Sequence, residues 1–351
     1  MAATLYCIAG EASGDRLGGS MMMRLNAEHP GLHWQGIGGP AMAAHGLQSL
    51  FPMDEIALMG LAEIVPHLPR IHRRMRETAA HIAALKPDVL LTIDAPGFNV
   101  RIARTIRTLR DKGRLKTRLV HLVAPSVWAW KPGRAKRFAG IFDHLLCLLP
   151  FEPPYFTCHG LAATFIGHPV AQDAPRVRAG QAERYRQRAG FSPVHQILTL
   201  LPGSRQGEVQ RMLPLFLETA QQLNSRHGPL VFALPTVESR LEQVRALCAG
   251  FPLPVHITVS TGEKYDAWAA SRAALAASGT VSLELAAAGL PAVISYQVHP
   301  LTAAIVRRMV RVPYASLVNL LLGRDVFPEF LQEKARPEAL ASALGRFLEK
   351  D

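Results

Sequence analysis

Asp94 combines a reactive side chain with a distinctive position in the chain. It directly follows an apolar run, residues 89–93, and precedes Pro96 and Gly97. The run predicts a buried parallel strand, and ligands of open α/β sheets lie beyond the carboxyl ends of the strands. A carboxylate at such an end can take a proton from a hydroxyl group as a general base. It can equally cap the helix that follows, and this stretch alone leaves both roles open.

The second half of the chain contains a loop suited to an anion. Residues 201–205 (LPGSR) follow an apolar run and precede a helical pattern. Free N–H groups at the start of a helix attract anions, and Arg205 adds a forked, permanently charged donor for a diphosphate. The loop is not a Walker A motif, because no GK[ST] follows the glycine. A plain turn with a surface arginine is the alternative.

A second loop, residues 277–280 (ASGT), repeats this design. Ser278, Gly279 and Thr280 are small enough to let a ligand approach the backbone closely. Glu284 lies one turn into the following helix on the same face, where a carboxylate can accept hydrogen bonds from both hydroxyls of a ribose. Two such strand ends in one half predict a nucleotide diphosphate as its ligand. A helix cap at Thr280 and a solvated Glu284 are the alternative.

Residues 10–15 (GEASGD) form the corresponding first turn of the N-terminal half. The turn contains two acids and no base, so it suits sugar hydroxyls, or a role in supporting its neighbours, better than it suits phosphate. His121 and His168 could titrate near neutrality, although a lone histidine is usually structural. The sequence has no HExxH, DxD or clustered His and Cys set, so we expect neither a metal site nor a cofactor.

Strand-like runs alternate with helical patterns along the chain, which is the rhythm of a doubly wound parallel sheet. Residues 168–178 contain prolines and little periodicity, and they predict a linker. We therefore expect an α/β protein of two Rossmann-like domains facing a cleft, residues 1–170 and 171–351. We also expect a helix over residues 59–85, broken at Pro66 and Pro69, and terminal helices over residues 300–349.

The composition narrows the class of protein. The 351 residues fit two domains of roughly 100–200 residues each, and a net charge of +12 favours phosphate-bearing partners. Four scattered cysteines indicate buried thiols in a reducing compartment. The chain enters a strand without a basic leader, and no apolar run approaches the ~20 residues that span a bilayer. These features predict a cytoplasmic protein that can rest on a membrane.

Two basic stripes contribute much of the positive charge. The first lies within residues 70–76, and the second repeats at every third residue from 101 to 110. RNA-binding modules usually interleave aromatic residues for base stacking, and these stripes contain none, so an anionic membrane surface is favoured over nucleic acid. A solvated helix face is the alternative. The arginines concerned are Arg70, Arg73, Arg74, Arg76, Arg101, Arg104, Arg107 and Arg110.

Taken together, these stretches resemble the lipid-A-disaccharide synthase family, and they occur in the family's order over nearly the whole chain. The matching residues are 10–15, 38–40 with Met42, 59–60 with Glu63, 93–96, 125–130, 149–152, 167–169, 201–205, 277–280 with Glu284, 316–321 and 331–332.

The resemblance implies an inverting glycosyltransferase of the two-domain GT-B type that works on the inner face of the inner membrane. Its donor would be UDP-2,3-diacylglucosamine and its acceptor 2,3-diacylglucosamine 1-phosphate, joined by a β-1,6 bond with release of UDP. The implied base is Asp94, and the implied substrate-binding residues are Glu11, Ser13, Asn99, Arg205, Ser278, Gly279, Thr280, Glu284 and Asn319. The acyl chains would contact an apolar surface built from Met53, Ile56, Leu58, Met59, Leu61, Ile64 and Val65.

The sequence departs from the family's pattern at two points. Gly97 stands where members usually have an acid, within the motif that contains Asp94. The chain ends at Asp351, soon after a helix that begins near Pro337, whereas members continue with a segment that can exchange between the subunits of a homodimer. Two other functions stay open: another UDP-sugar enzyme of the same fold, such as an epimerase, and a non-catalytic basic protein that binds membrane or nucleic acid.

Overall fold

The computed structural model describes residues 3–56, 61–170, 180–298, 303, 309–310 and 312–349, with the backbone alone for residues 61–67. The chain divides into two compact units, Met1–Pro169 and Val170–Asp351. Each unit contains one parallel β-sheet with flanking helices, which confirms the predicted α/β class with two doubly wound sheets.

The first unit is built on a seven-stranded sheet with the order β3-β2-β1-β4-β5-β6-β7. Strand β4 consists of apolar residues and one threonine and is almost wholly buried, as is typical of a parallel strand covered on both faces. The strand order reverses between β1 and β4, where Ala9 pairs with Ile93. The strands are β1 (Thr4–Ala9), β2 (His33–Ile37), β3 (Gln48–Ser49), β4 (Val89–Ile93), β5 (Arg118–Leu122), β6 (His144–Cys147) and β7 (Ala162–Phe165).

The helices of the first unit are α1 (Ala12–Glu28), α2 (Pro40–Ala43), α3 (Leu61–Leu85), α4 (Pro96–Asp111), α5 (Arg134–Ala139) and α6 (Pro154–Thr157). The backbone of α3 is helical through positions 66 and 69, so the predicted breaks there are wrong. Helix α4 begins at Pro96, because proline is well suited to the first helical position, where its missing N–H has no partner to lose.

The second unit is built on a six-stranded sheet with the order β10-β9-β8-β11-β12-β13. Its order reverses between β8 and β11, where Leu201 pairs with Ala276. Both candidate anion loops therefore follow neighbouring strands at a point where the sheet reverses. The strands are β8 (Gln196–Leu201), β9 (Leu230–Pro235), β10 (Val255–Thr258), β11 (Ser271–Ala277), β12 (Ala292–Tyr296) and β13 (Glu329–Leu331).

The helices of the second unit are α7 (Gln181–Ala189), α8 (Gln206–His227), α9 (Leu241–Cys248), α10 (Thr261–Ala270), α11 (Val281–Ala287), α12 (Leu317–Leu322) and α13 (Pro337–Leu348). Helix α13 packs on α8 and buries Leu340, Leu344 and Leu348 at helical spacing, each worth about 1.5–3 kcal/mol. The helices α6, α7 and α10 and the strands β3 and β13 were not predicted. Across the described residues, we find no helix both long and apolar enough to cross a membrane.

Candidate functional site

Asp94 lies in a strained turn between β4 and α4. Asp94 and Ala95 both adopt left-handed backbone conformations, with φ of 46° and 42°. Such conformations cost non-glycine residues about 1–3 kcal/mol each and persist only where surrounding contacts impose them. The N-cap position of α4 is Ala95, so Asp94 does not occupy the helix-cap position. The side chain of Asp94 is half-buried.

The buried side chain of Asn99 holds this turn in place through hydrogen bonds to its main chain. Its side chain is fully buried, with 0% exposure, and Nδ2 donates to the carbonyl oxygens of Asp94 at 2.8 Å and Ile93 at 3.0 Å. The main-chain N–H of Asp94 donates to Leu122 O on the neighbouring strand at 2.9 Å. The expectation was a polar residue in contact with substrate. The structure instead makes Asn99 a residue that positions Asp94.

Glu11 and Ser13 lie in the turn that is adjacent to Asp94 across the sheet. Glu11 is the half-buried N-cap residue of α1, and Ser13 is exposed in the first turn of that helix. The turns make contact, because a β-carbon built on Gly10 would lie only 2.7 Å from Ala95 Cβ. Glu11, Ser13 and Asp94 therefore belong to one edge of the first sheet, beside the point where its strand order reverses.

Asp15, the second acid of the same turn, has a structural role, which is one of the two roles that the sequence suggested for this turn. Its buried carboxylate accepts hydrogen bonds from the main-chain N–H groups of Gly39, Ala41 and Met42 at 2.8, 2.9 and 3.0 Å. These are the free donors at the start of α2, which a carboxylate satisfies well. The signal in the sequence was the Gly-Gly-Pro turn, which has no capping side chain of its own.

The loop after β5 is fixed to the loop after β6. Trp128 Nε1 donates to Glu152 Oε1 at 3.2 Å, and Glu152 Oε2 accepts from the N–H groups of Leu148 and Leu149 at 3.1 and 3.0 Å. Burial raises the pKa of Glu152. His121 is a buried structural residue: its Nδ1 lies 2.7 Å from Thr92 Oγ1, and burial lowers its pKa to about 3. It does not titrate near neutrality.

Arg205 lies at the start of α8. Its side chain is 65% exposed, and its Nη1 donates to Glu208 Oε1 at 3.2 Å. Glu208 steadies the loop, because its Oε2 accepts from Arg205 N at 3.3 Å and its Oε1 accepts from Tyr296 Oη at 3.0 Å. Gly203 is in the left-handed region, with φ of 107°, and a β-carbon there would lie 2.7 Å from Glu208 Oε2. The loop thus presents a largely exposed guanidinium beyond the end of β8, with one of its nitrogens engaged by Glu208.

The residues of the loop at 277–280 differ in their exposure and in their contacts. Gly279 and Thr280 are exposed, and Thr280 is the N-cap residue of α11 without a side-chain cap bond. Ser278 is half-buried, and its Oγ donates to Ala315 O at 2.9 Å. Gly279 and Thr280 are therefore open to a ligand, whereas the Ser278 hydroxyl ties the loop to the segment before α12.

Glu284 is paired with a lysine that sequence reasoning missed. Lys264 Nζ donates to Glu284 Oε2 at 2.6 Å, and both side chains are 24% exposed. The ammonium also lies 4.5 Å from the ring centre of Tyr265 and 4.9 Å from that of Trp268, within the range of cation–π attraction. Lys264 belongs to α10, the helix that was not predicted. One carboxylate oxygen of Glu284 is engaged by this lysine.

Asn319 is fully buried at 0% exposure, which contrasts with the expectation that it lines the nucleotide pocket. Its Nδ2 donates to Phe327 O and Glu329 Oε1, both at 2.8 Å, and its Oδ1 accepts from Val326 N and Phe327 N, both at 2.9 Å. Glu329 in turn accepts from Ala315 N at 2.8 Å. Asn319 therefore supports the segment that holds Ser278.

The apolar surface and the first basic stripe differ from the expectation. Met53 and Ile56 are buried in the core, while Leu58 and Met59, and the side chains of Leu61, Ile64 and Val65, lie outside the described residues. Arg74 is 17% exposed and bound by two acids: Glu55 accepts at 2.5 and 2.8 Å, and Glu77 at 2.7 Å. Arg73 and Arg76 remain exposed.

The second basic stripe contains both paired and exposed arginines. Arg110 donates to Asp143, and Arg107 lies 3.1 Å from Asp111, whereas Arg101 and Arg104 are exposed. Within the parts of both units that the structure describes, no group of three or more His, Cys, Asp or Glu side chains is arranged to hold a metal ion.

Residues 5–351 match the family model described as lipid-A-disaccharide synthetase. The lipid-A-disaccharide synthase of Rhodospirillum centenum is 48% identical over 345 residues, which cover 98% of this chain and 84% of that protein. The corresponding protein of Paramagnetospirillum magneticum is 45% identical over 347 residues, covering 98% and 87%. A putative UDP-N-acetylglucosamine 2-epimerase structure from Listeria monocytogenes covers 100% of this chain and 89% of its own, with a TM-score of 0.64 and 11% identity. That likeness shows the fold alone.

Proposed function

The chain belongs to the lipid-A-disaccharide synthetase family, and from this premise we propose that it joins UDP-2,3-diacylglucosamine to 2,3-diacylglucosamine 1-phosphate through a β-1,6 bond. That it is a glycosyltransferase of lipid A synthesis follows from the family. The observation that carries the finer proposal is the Asp94 turn, where two consecutive left-handed residues are held by the buried Asn99. Strain maintained in this way is typical of functional sites.

Asp94 acts as the general base. Its carboxylate takes the proton of the acceptor 6-hydroxyl while that oxygen forms a bond to the anomeric carbon of the donor. The bond between the anomeric carbon and the diphosphate oxygen breaks, and its electron pair leaves with UDP. Attack on the face opposite to UDP inverts the anomeric centre and gives the β linkage. Glu11 and Ser13 bind sugar hydroxyls beside Asp94.

The second unit binds UDP. The largely exposed side chain of Arg205, one nitrogen of which pairs with Glu208, and the N–H groups at the start of α8 stabilise the charge that develops on the leaving diphosphate. Gly279 and Thr280 allow the nucleotide to approach the backbone, and Glu284 binds a ribose hydroxyl. Ser278 and Asn319 act through the loop that they hold, since both are engaged with other parts of the chain.

A membrane surface and a second subunit complete the proposal. The anionic inner leaflet, where the lipid substrates are, is contacted by the exposed Arg73, Arg76, Arg101 and Arg104. The enzyme works as a homodimer, and analytical ultracentrifugation measures this oligomeric state. Replacing Arg73 and Arg76 by Gln should weaken binding to phosphatidylglycerol vesicles at low salt. Arg74→Gln is the contrast, because it should lower stability rather than vesicle binding. Unchanged partitioning of the double variant would contradict the membrane role.

One assay tests the reaction and separates it from the alternatives. Purified protein is incubated with UDP-diacylglucosamine, with and without the lipid acceptor, and UDP and disaccharide are measured. The proposal requires both products, formed only when the acceptor is present. Turnover of the donor alone would indicate an epimerase-like enzyme. UDP binding without either product would be consistent with the fold but would contradict the proposed reaction.

A further inference from the structure

Trp130 forms an exposed aromatic platform with two cations beside it. Its side chain is 38% exposed, and the ring centre lies 4.6 Å from Lys131 Nζ and 5.7 Å from Arg134 Cζ. Both distances are within the range of cation–π attraction. This cluster of Trp130, Lys131 and Arg134, called the Trp130 cluster below, has no part in the reaction as described above.

The loop that presents the Trp130 cluster is anchored at its other tryptophan. Trp128 donates to the buried Glu152 and packs edge-on against Phe151, with the ring centres 5.3 Å apart. The main-chain N–H of Trp130 donates to Ser126 O at 3.2 Å. One tryptophan is thus used to fix the loop while the next faces solvent. A merely solvated charged face would not require this anchoring.

Lys131 and Arg134 have no acidic neighbour that neutralises them in the part of the chain that the structure describes. In the described residues, no carboxylate forms an ion pair with Lys131 or Arg134. Residues 131–137 contain four cations and no acid. Partial burial and the nearby Arg137 lower the pKa of Arg134. The local field therefore favours a ligand that brings negative charge.

We propose that the Trp130 cluster binds the phosphate monoester of an amphiphilic sugar, which, if the proposed function holds, is the 1-phosphate of the acceptor. A phosphate monoester carries about −1.5 to −2 charges near neutrality, which matches a lysine and an arginine together. The exposed indole gives apolar surface that an amphiphile can cover and inorganic phosphate cannot. The loop follows β5, the strand next to β4, so the phosphate site and Asp94 share one edge of the sheet.

Two acceptors that differ only in the phosphate test this assignment. Arg134→Gln and Lys131→Gln should each raise KM for the phosphorylated acceptor by about tenfold or more, as for loss of a hydrogen bond to a charged group. KM for the same acylated sugar without phosphate, and the affinity for UDP, should not change. Arg114→Gln and Lys116→Gln remove equal charges from exposed sites just before β5, at its opposite end, and should behave as wild type.

Direct binding separates this inference from the proposed function. Dodecyl phosphate, dodecyl glucoside and inorganic phosphate are titrated below micelle formation while tryptophan fluorescence is recorded. Dodecyl phosphate should bind to wild type more tightly than the other two and more weakly to both variants, even if no sugar transfer occurs. Lys131 is exposed, so Lys131→Gln stays informative if Arg134→Gln lowers the melting temperature.

Three results would overturn the assignment. The first is an equal rise, or no change, in KM for both acceptors. The second is binding of inorganic phosphate as tight as that of dodecyl phosphate, which would show that the site does not recognise an amphiphile. The third is weaker binding of the variants to phosphatidylglycerol vesicles with unchanged affinity for dodecyl phosphate, which would make the Trp130 cluster a membrane contact instead.

Discussion

Gly10 and Ala95 approach each other so closely that a β-carbon on Gly10 would lie 2.7 Å from Ala95 Cβ. The contact joins the turn after β1 to the turn after β4, where the order of the strands reverses. Ala95 adjoins Asp94 and shares its left-handed backbone conformation. The backbone at Gly10, after β1, therefore fixes the position of the candidate base Asp94, after β4.

Gly10→Ala should therefore displace the Asp94 turn. Crowding of a packed site costs about 1–3 kcal/mol, and a small misplacement of a catalytic group lowers kcat by about tenfold to a hundredfold. Gly140→Ala is the matched control, because its β-carbon would meet only ordinary contacts of 3.6 and 3.8 Å. Steady-state kinetics and thermal unfolding measure both effects. A wild-type kcat for Gly10→Ala would show that this contact does not position the base.

Two buried asparagines allow a paired experiment across the units. Asn99→Ala removes the buried side-chain donor to the carbonyls of Asp94 and Ile93, which should cost about 1–3 kcal/mol of stability and reduce kcat with UDP affinity unchanged. Asn319→Ala should lower stability to a similar extent but weaken UDP binding, because it releases the segment that holds Ser278. Equal effects of both variants on kcat and on UDP affinity would refute the separate positioning roles.

Gly97 is not required by the backbone. A β-carbon built there has nothing within 4 Å, and its φ is not left-handed. Since it occupies the first turn of α4, Gly97→Ala should stabilise the protein by about 0.4–1 kcal/mol, measured by urea unfolding. The acid expected from the family also fits here, and it would gain from the helix dipole. Gly203→Ala should destabilise, because of its φ of 107° and its contact with Glu208; stabilisation there would contradict this reasoning.

Lys264 should matter for nucleotide binding although it was not predicted. Lys264→Met leaves Glu284 as an unpaired, partly buried carboxylate beside the proposed diphosphate site. UDP should bind roughly tenfold more weakly, which corresponds to about 1.4 kcal/mol, with kcat at saturating donor unchanged. Arg245→Met breaks an exposed ion pair with Glu242 in the same unit and is the control. Calorimetric titration with UDP decides, and equal affinities for wild type and Lys264→Met would exclude this role.

The sequence was sufficient to predict the strand ends. Apolar runs before Asp94 in the first unit, and before the loops of Arg205 and Ser278 in the second, marked parallel strands with polar loops beyond them. Parallel topology brings such loops to one edge of their own sheet. It was not sufficient to predict burial. The partners of Asn99 and Asn319 lie only five to ten positions away, but the residue pattern does not show that the chain folds back over these two side chains. Arg74 shows the same limit, since Glu55 reaches it only after the chain has folded.

Two missed elements have physical explanations. Helix α10 buries Asp266, Ala267, Trp268 and Ala270, a set too small and too polar to produce the apolar stripe by which helices are recognised. Strand β13 has only three residues and lies at the edge of its sheet, where one neighbour alone holds it. Because α10 was not predicted, Lys264 could not be placed near Glu284, and the partner of that carboxylate could not be inferred.

The central claim is that Asp94 is the general base, and the turnover of Asp94→Asn tests it most directly. The variant keeps the shape of the side chain and loses the basic group, so kcat should fall by about 10²–10⁴-fold. UDP affinity, measured on the same preparation, should stay at the wild-type value, because the proposed nucleotide site belongs to the other unit. Turnover close to wild type in a variant that binds UDP normally would contradict the account.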